Sequence, residues 1–315
     1  MIHPIPNGTR DVLPDEMREL RAIMDALRGV FDARGYGEIA TPALEYEEVL
    51  VRGDAAAAEP AYRLFDEHGN VLVLRSDSTI PIARVVATRY AQAEPPLRFC
   101  YIANAYRSVR PQRGHARELL QAGIELVGRP GADGTAEALE VLCAALDATG
   151  LEGYRVGLGD ASLYPALLDG VGAPPEARAQ ILKELVTRDF VGLAREVRAL
   201  DLPAADAERL IRVPQLRGGP DVLDAAGEAV GPLREIQARL PEALARRVIF
   251  DLGLQRSLTY YTGALFEVYD AALGQPLGGG GRYDDLLGRF GRDLPAVGWA
   301  LGVEPLHLAL YGESR

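Results

Sequence analysis

Apolar and polar positions in the first half of the chain follow two periods, which predict helices and strands. After Pro14, apolar residues from Met17 to Phe31 recur at three- and four-residue steps, which predicts a helix with one apolar face that ends at Gly35. Short apolar runs predict strands at residues 62–65, 71–74, 97–106 and 119–127. Helical spacing of apolar residues predicts a helix at residues 135–149. The first two strands are predicted to form a hairpin.

The second half begins with a change in composition. From about residue 174 to residue 247, Ala, Arg, Glu and Leu dominate with helical spacing, which predicts a helical insertion. Strand patterns return at residues 248–250, 264–269 and 296–300, before a short helix at residues 305–310. Because hairpins and loops join the strands, the pattern favours an α+β fold, an antiparallel sheet flanked by helices, over a doubly wound fold. We expect one domain over residues 1–315, interrupted by this insertion.

Composition narrows the class of protein. The 315 residues carry 34 Lys and Arg against 45 Asp and Glu, and this net charge of −11 argues against general attraction to nucleic acid or an anionic membrane. Two cysteines exclude a disulfide framework, and four scattered histidines argue against a metal site. Lys183 is the single lysine, so a Gly-Lys-Ser/Thr phosphate loop is excluded. Without a membrane-length apolar run or a leader pattern, we expect a cytoplasmic protein.

An arginine-rich loop lies between two predicted strands. Residues 107–117 hold four arginines, and arginine is suited to bidentate binding of carboxylate or phosphate. Spacing alone leaves an anion site and a solvated hairpin tip as equal alternatives. On the following strand, Gln121 and Glu125 are four residues apart, so both project from the same face, which indicates a hydrated cavity.

Two segments admit a structural explanation as well as a functional one. In residues 75–79, Asp77 and Thr79 stand at the entry to a predicted helix, where an N-cap explains them more cheaply than a ligand site does. The glycines of residues 278–284 lack the surroundings of a dinucleotide motif. They are more consistent with a backbone that approaches a ligand or another strand.

A third segment combines a cation with two aromatic hydroxyls. Residues 255–263 contain Arg256, Tyr260 and Tyr261, a combination that suits a small polar ligand. Paired tyrosines also occur at the edges of apolar cores, so composition alone does not decide between the two.

Taken in order, these segments resemble the core of the class II aminoacyl-tRNA synthetases, and specifically the histidyl branch. The resemblance runs nearly from end to end. The matching segments are the N-terminal signature at residues 8–14, the dimer-forming first motif at 35–45, the second motif at 106–121, the histidine-specific signature at 256–263, the glycine-rich strand at 281–284 and the third motif at 298–304.

The ATP site departs from the family pattern. The family's third motif continues with an arginine that binds ATP phosphate, whereas this chain has Pro305, which offers no donor. In the second motif, Val109 replaces the family's glutamate. Ser257 and Thr259 stand where the synthetases usually have Gly and Asp. We therefore expect nucleotide activation to be lost and no cofactor to be required, and the few residues after Glu304 lead us to expect no anticodon-binding domain.

The family's histidine pocket, in contrast, is largely retained. The positions that match it are Asp77, Thr79, Arg107, Gln121, Glu125, Arg256, Tyr260 and Tyr261. The resemblance implies that Asp77, one methylene shorter than the family's glutamate, and Thr79 meet the amino group of histidine. It implies that Arg107 and Gln121 meet the carboxylate, with Arg256 close to it.

The imidazole end of the ligand is implied in the same way. Glu125 and Tyr261 would meet the ring, and Tyr260 belongs to the same set of positions. Such an arrangement suits a zwitterion, because its two charges need separated partners of opposite sign in a partly desolvated site. We therefore expect histidine as the ligand.

A synthetase core with an altered ATP site and no anticodon domain resembles the regulatory subunits of ATP phosphoribosyltransferase. That resemblance implies a chain without chemistry of its own. It would activate a short catalytic subunit in the first step of histidine biosynthesis, with a part in feedback inhibition by histidine. It implies a hetero-octamer of four catalytic and four regulatory chains, and the first motif implies a homodimer within it. The alternatives are a minimal histidyl-tRNA synthetase-like enzyme that activates histidine with ATP, and a structural accessory with a vestigial pocket.

Overall fold

A nine-stranded, mostly antiparallel sheet forms the centre of the fold. The computed structural model describes residues 5–55, 61–108 and 116–312. The strands are β1 (Gly37–Glu38), β2 (Leu44–Tyr46), β3 (Arg63–Phe65), β4 (Val71–Leu74), β5 (Leu97–Tyr106), β6 (Glu118–Val127), β7 (Arg155–Asp160), β8 (Arg217–Gly218), β9 (Val248–Asp251), β10 (Ala264–Tyr269), β11 (Gly278–Arg282) and β12 (Ala296–Gly302). The large sheet has the order β1-β5-β6-β12-β11-β10-β7-β9-β8, and β2-β4-β3 form a second, small sheet. Only the pairs β1–β5 and β7–β9 are parallel within the described strands.

Helices cover the large sheet and connect its strands. They are α1 (Pro14–Ala33), α2 (Glu47–Gly53), α3 (Thr79–Arg89), α4 (Gly131–Ala148), α5 (Leu163–Gly170), α6 (Pro175–Val186), α7 (Phe190–Arg198), α8 (Ala204–Arg212), α9 (Asp221–Ala226), α10 (Gly231–Gln237), α11 (Glu242–Ala245) and α12 (Val303–Tyr311). The predicted α+β fold, an antiparallel sheet flanked by helices, is confirmed. None of the described helices is long and apolar enough to span a bilayer.

Strand alternation separates the two faces of the sheet. On β12, Val297, Trp299 and Leu301 are buried in the larger apolar cluster, together with side chains of α1 and α4. The Trp299 ring lies 5.8 Å from that of Phe31 on α1, and its Nε1 donates to the carbonyl of Ala138 on α4. Because successive side chains point to opposite faces, the intervening positions of β12 face the second cluster, which includes residues of α2, α3 and the small sheet.

Helix α1 forms where the spacing of apolar residues predicts a helix with one apolar face. Pro14 occupies its first turn, where the missing N–H costs no hydrogen bond. Its buried residues keep helical spacing on one face. They are Leu20, Ile23, Met24, Leu27 and Phe31. This face packs against α4 and the sheet, so the end of the helix at Ala33 places β1 beside β5.

Helices α6 to α11 lie between β7 and β9, in the stretch predicted as an insertion. Their buried side chains, including Leu185, Leu193 and Leu233, belong to the same apolar cluster as α1 and α4. The short strand β8 pairs with β9 at the edge of the large sheet. The division of residues 1–315 into one domain with an insertion at about 174–247 stays a prediction.

Candidate functional site

A cavity of about 950 Å³ is lined by residues of β5, β6, β11 and β12 together with the loop before β10. Its size lies within the range of small-molecule sites. Seven of the eight predicted site residues line it, namely Asp77, Thr79, Arg107, Gln121, Arg256, Tyr260 and Tyr261. Glu125 lies beneath the lining within hydrogen-bond distance of Thr79. We call this cavity, with Glu125, the central pocket.

Glycines of β11 and β12 line the central pocket, namely Gly278, Gly279, Gly298 and Gly302, and other glycines of the sheet are covered by tyrosines. A Cβ atom on Gly123 would lie 2.6 Å from the hydroxyl of Tyr101, and one on Gly281 would lie 2.9 Å from Cδ1 of Tyr261. Gly279 is covered by the guanidinium of Arg256 in the same way. Large polar side chains therefore lie flat against the sheet because the strands beneath them lack side chains.

Glu125 is the most deeply buried charged group of the site, with 2% of its surface exposed. Thr79 Oγ1 donates to its Oε1 at 2.6 Å, and the hydroxyl of Tyr283 donates to its Oε2. Burial raises the pKa of Glu125 to about 8, and the two hydroxyl hydrogen bonds oppose that shift while the charge of Asp77 adds to it. Both the carboxylate and the protonated acid are therefore populated at near-neutral pH.

Asp77 lies where β4 gives way to α3. Its Oδ1 accepts from the backbone N–H of Ile80 in the first turn of α3 at 2.9 Å, although Asp77 stands one residue before the N-cap position, Ser78. Its Oδ2 accepts from the hydroxyl of Tyr260 at 3.1 Å and also lines the pocket. Burial raises the pKa of this carboxyl, although its hydrogen bonds and the charge of Arg107 oppose the shift. Asp77 thus satisfies an N–H of the first turn of α3 and also lines the central pocket.

Arg256 lies in the loop before β10 and lines the central pocket. Its Nη1 is 3.5 Å from Oε1 of Glu267, and its Cζ is 5.9 Å from the centre of the Tyr261 ring. Within the described part of the chain, this buried Nη1 has no hydrogen-bond partner. The guanidinium therefore retains a donor that makes no hydrogen bond.

The arginine-rich loop falls largely outside the described residues, including Val109, Arg110 and Arg113. The backbone N–H of Arg107 donates to the carbonyl of Arg117 at 2.9 Å, so the two ends of the loop are paired. Arg107 lines the central pocket, as does Gln121 on the adjoining strand. Whether the loop as a whole is an anion site stays a prediction.

Three residues that line the central pocket were not predicted individually from the sequence. Tyr101 on β5, Glu267 on β10 and Tyr283 after β11 all line the central pocket. Their contribution depends on strand pairing, since Tyr101 pairs with Gly123 and Glu267 with Gly279. The available signal was the glycine run, which marks the positions that large side chains of neighbouring strands cover.

The wall at the start of α12 contains Glu304 and Pro305. Pro305 lies in the first turn of the helix, where it offers no N–H to a ligand. Burial raises the pKa of Glu304. In the residues that the structure describes, no group of three or more His, Cys, Asp or Glu could hold a metal ion.

The fold and the central pocket define a protein of the class II histidyl-tRNA synthetase type, and the family model described as "Histidyl-tRNA synthetase" matches residues 8–306. The chain is 40% identical to the ATP phosphoribosyltransferase regulatory subunit of Symbiobacterium thermophilum, over 97% of this chain and 79% of that protein. It therefore belongs to the family of ATP phosphoribosyltransferase regulatory subunits, within the histidyl-tRNA synthetase-like proteins.

Solved structures agree with this placement. The chain resembles a structure from Bacillus halodurans described as an ATP phosphoribosyltransferase regulatory subunit/histidyl-tRNA synthetase, with a TM-score of 0.91 and 34% identity. That match covers 99% of this chain and 85% of the other. It also resembles a histidine–tRNA ligase subunit from Alicyclobacillus acidocaldarius, with a TM-score of 0.79 and 30% identity over 98% of both chains.

Proposed function

We propose that this chain is a non-catalytic subunit that binds histidine in the central pocket and regulates a short-form catalytic subunit of ATP phosphoribosyltransferase. The observation that carries the proposal is the distribution of charge in the pocket. The carboxylate of Asp77 and the guanidinium groups of Arg107 and Arg256 line one cavity. Glu125 lies beneath it. A zwitterion with a ring nitrogen would find a partner for each polar end.

The amino end of histidine would meet Asp77 and Thr79. Asp77 lines the pocket and its Oδ2 accepts from the hydroxyl of Tyr260. The hydroxyl oxygen of Thr79 can accept from an ammonium while its proton is donated to Glu125. Asp77 is one methylene shorter than the family's glutamate. Its position at the start of α3 nevertheless lets it line the pocket.

The carboxylate end would meet Arg107 and Gln121, with Arg256 close by. The Nη1 of Arg256 supports this assignment, because it has an ion pair with Glu267 at 3.5 Å but no hydrogen bond in the described part of the chain, and a ligand carboxylate would supply an acceptor. The imidazole would meet Glu125 and Tyr261, and a neutral or charged ring suits Glu125 because its pKa of about 8 lets it donate or accept.

The absence of catalysis is proposed from the ATP side of the pocket. Pro305 lines the cavity without a donor, so a nucleotide phosphate there would lack the cation that the synthetases provide. The second candidate is a minimal enzyme that activates histidine with ATP, and the similarity to the Alicyclobacillus ligase subunit over both full chains favours it. Histidine-dependent exchange of pyrophosphate into ATP separates the two candidates, and robust exchange would contradict the proposed role.

The decisive experiment measures phosphoribosyl-ATP formation by a cognate short catalytic subunit, with and without this chain, across a histidine titration. We expect stimulation that histidine reverses. In the Arg107→Gln variant, loss of a charge-assisted hydrogen bond should shift the inhibitory histidine concentration upward by about tenfold to 100-fold. The exposed Arg89, at the end of α3, provides the matched control Arg89→Gln, which should behave as the unsubstituted chain. An unchanged rate at saturating chain would contradict the regulatory role.

We also propose that the chain forms a homodimer within a hetero-octamer of four catalytic and four regulatory chains. The apolar outer face of the small sheet supports the homodimer, because Leu44, Tyr46 and Leu64 are 45%, 46% and 43% exposed on it. The name of the relatives, regulatory subunits, supports a catalytic partner chain, and the octamer is what the resemblance implies. We place the assembly in the cytoplasm, where the free Cys100 and Cys143 would remain reduced.

A further inference from the structure

A string of polar side chains leads from the central pocket toward the helices between β7 and β9. It begins with Arg256, whose Nη1 is 3.5 Å from Oε1 of Glu267 in the pocket wall. The second oxygen of Glu267 accepts from the hydroxyl of Tyr269 at 2.5 Å. Glu267 and Tyr269 are two residues apart on β10, so their side chains share one face of the strand. Glu267 therefore links a pocket residue to a residue outside the pocket.

The string continues to a buried carboxylate at the end of β9. The guanidinium of Arg217 lies over the Tyr269 ring, with Cζ 5.5 Å from its centre, and Nε is 3.7 Å from Oδ2 of Asp251. Asp251 is 2% exposed, and Nη2 of Arg188 donates to the same Oδ2 at 2.9 Å. We call these six residues, from Arg256 to Arg188, the pocket–insertion network.

Arg188 has an unusual backbone conformation. It lies two residues after the end of α6, with φ at 56°, in the left-handed region that glycine or asparagine usually fills at a helix end. Its hydrogen bond to Asp251 gives a reason for an arginine there, because a buried carboxylate that loses its partner is strongly destabilising. The conformation of the α6–α7 turn is therefore tied to Asp251.

The electrostatics of Arg188 connect it to the pocket end of the network. Burial lowers the pKa of Arg188, but the hydrogen bond and charge of Asp251, together with Tyr269 and Glu267, raise it above its ordinary value. A ligand carboxylate that pairs with Arg256 would compete with Glu267 for that guanidinium. Glu267 would then be shared differently between Arg256 and Tyr269.

We propose that the pocket–insertion network couples occupation of the central pocket to the conformation of the α6–α7 turn. The inference rests on the proposed function, in which an amino acid carboxylate occupies the pocket. Coupling between sites is reciprocal, so a change at Arg188 must alter ligand affinity although Arg188 is absent from the described lining of the cavity.

The test measures histidine binding by calorimetry to the full chain and to two pairs of variants. Arg188→Asn removes the contact to Asp251 with a residue that tolerates positive φ. Its control is Arg178→Asn, which removes the exposed ion pair between Arg178 on α6 and Asp169 on α5. Tyr269→Phe removes the hydrogen bond to Glu267. Its control is Tyr164→Phe, which removes a buried hydroxyl that donates to the carbonyl of Leu210.

We expect both network variants to change the dissociation constant by about fivefold or more, and both controls to change it by less than about twofold. The double variant Arg188→Asn/Tyr269→Phe should shift affinity no further than the larger single effect, since both interrupt one connection. Network variants that bind like the unsubstituted chain would overturn the coupling. If Arg188→Asn does not fold, Tyr269→Phe decides the matter alone. Absence of histidine binding to the unsubstituted chain would overturn the proposed function instead.

Discussion

Glu125 shows, at the scale of a single residue, how a site can be built below its own surface. It contributes no lining area to the cavity, yet it receives the hydroxyls of Thr79 and Tyr283 and faces Gly298 across the strand pair. Its two hydroxyl partners satisfy the carboxylate, while burial favours the protonated form. The protonation state of Glu125 should therefore influence the free energy of unfolding even in the absence of ligand.

The stability of the chain should fall as pH rises through the titration of Glu125. Its pKa is raised from 4.5 to about 8 in the folded state, so the folded state binds more protons than the unfolded state between these values. Stability is then fully present below the unfolded pKa and lost toward the folded one, at up to about 1.4 kcal/mol per pH unit.

Urea unfolding at several values between about pH 5 and pH 8 checks this linkage. The Glu125→Gln variant keeps the shape of the side chain and lacks the titration, so its stability should depend less on pH than that of the unsubstituted chain. Other groups with raised pKa values, such as Asp160, contribute equally to both proteins. Parallel pH profiles for the two proteins would contradict the assignment.

Site residues could be predicted from the sequence where their arrangement depends on a single strand or a single turn. Gln121 and Glu125 share a strand face by simple alternation, and both belong to the central pocket. The bond from Thr79 to Glu125 joins positions 46 residues apart, and that from Tyr283 to Glu125 joins positions 158 apart. Such contacts depend on the order of strands in the sheet, which local patterns do not specify.

At the scale of elements, β11 is the strand on which the site depends most. Its sequence is GGGGR, which has poor strand propensity, but it pairs on both sides with β10 and β12. The absence of side chains lets Arg256 lie on Gly279 and Tyr261 on Gly281. The glycines therefore weaken the strand locally and make room for the site.

Gly279→Ala should damage both the strand and the site. The new Cβ would contact the carbonyl of Phe266 and displace the guanidinium of Arg256, so we expect a loss of about 1–3 kcal/mol in the free energy of unfolding. Histidine binding, measured by calorimetry, should weaken as well. Gly274→Ala is the control in the same β10–β11 connection, because nothing lies within 4 Å of its Cβ. Equal stability of the two variants would argue against crowding at Gly279.

Elements with strong periodicity were predictable, and those without it were not. Helix α1 and the β5–β6 hairpin have long apolar patterns, and the structure confirms both. Strand β7 was missed because RVGLGD contains two glycines and one short apolar run. Its place between β10 and β9 is fixed by pairing on both sides rather than by local propensity.

At the scale of the whole molecule, the small sheet leaves one apolar face uncovered. Strand pairing puts Leu44 opposite Leu74, and Leu72 opposite both Tyr46 and Leu64, so these five side chains share a face. The opposite face carries Val73, which is fully buried in the second apolar cluster. A contiguous apolar face on a protein of net charge −11 is typical of an interface, and the first-motif resemblance at residues 35–45 predicts a two-fold contact near this sheet.

Charge placed in this face should separate the proposed homodimer. Leu64 is the central residue of the edge strand β3, opposite Leu72, and it is 43% exposed. Leu64→Arg should therefore leave the isolated chain folded while adding a desolvation cost to association. Val191→Arg is the matched control, since Val191 is 82% exposed on α7. Sedimentation equilibrium at micromolar concentration should show dimers of the unsubstituted chain and of Val191→Arg, and monomers of Leu64→Arg. A Leu64→Arg protein that remains dimeric would place the two-fold contact elsewhere, and a monomeric unsubstituted chain would refute the homodimer itself.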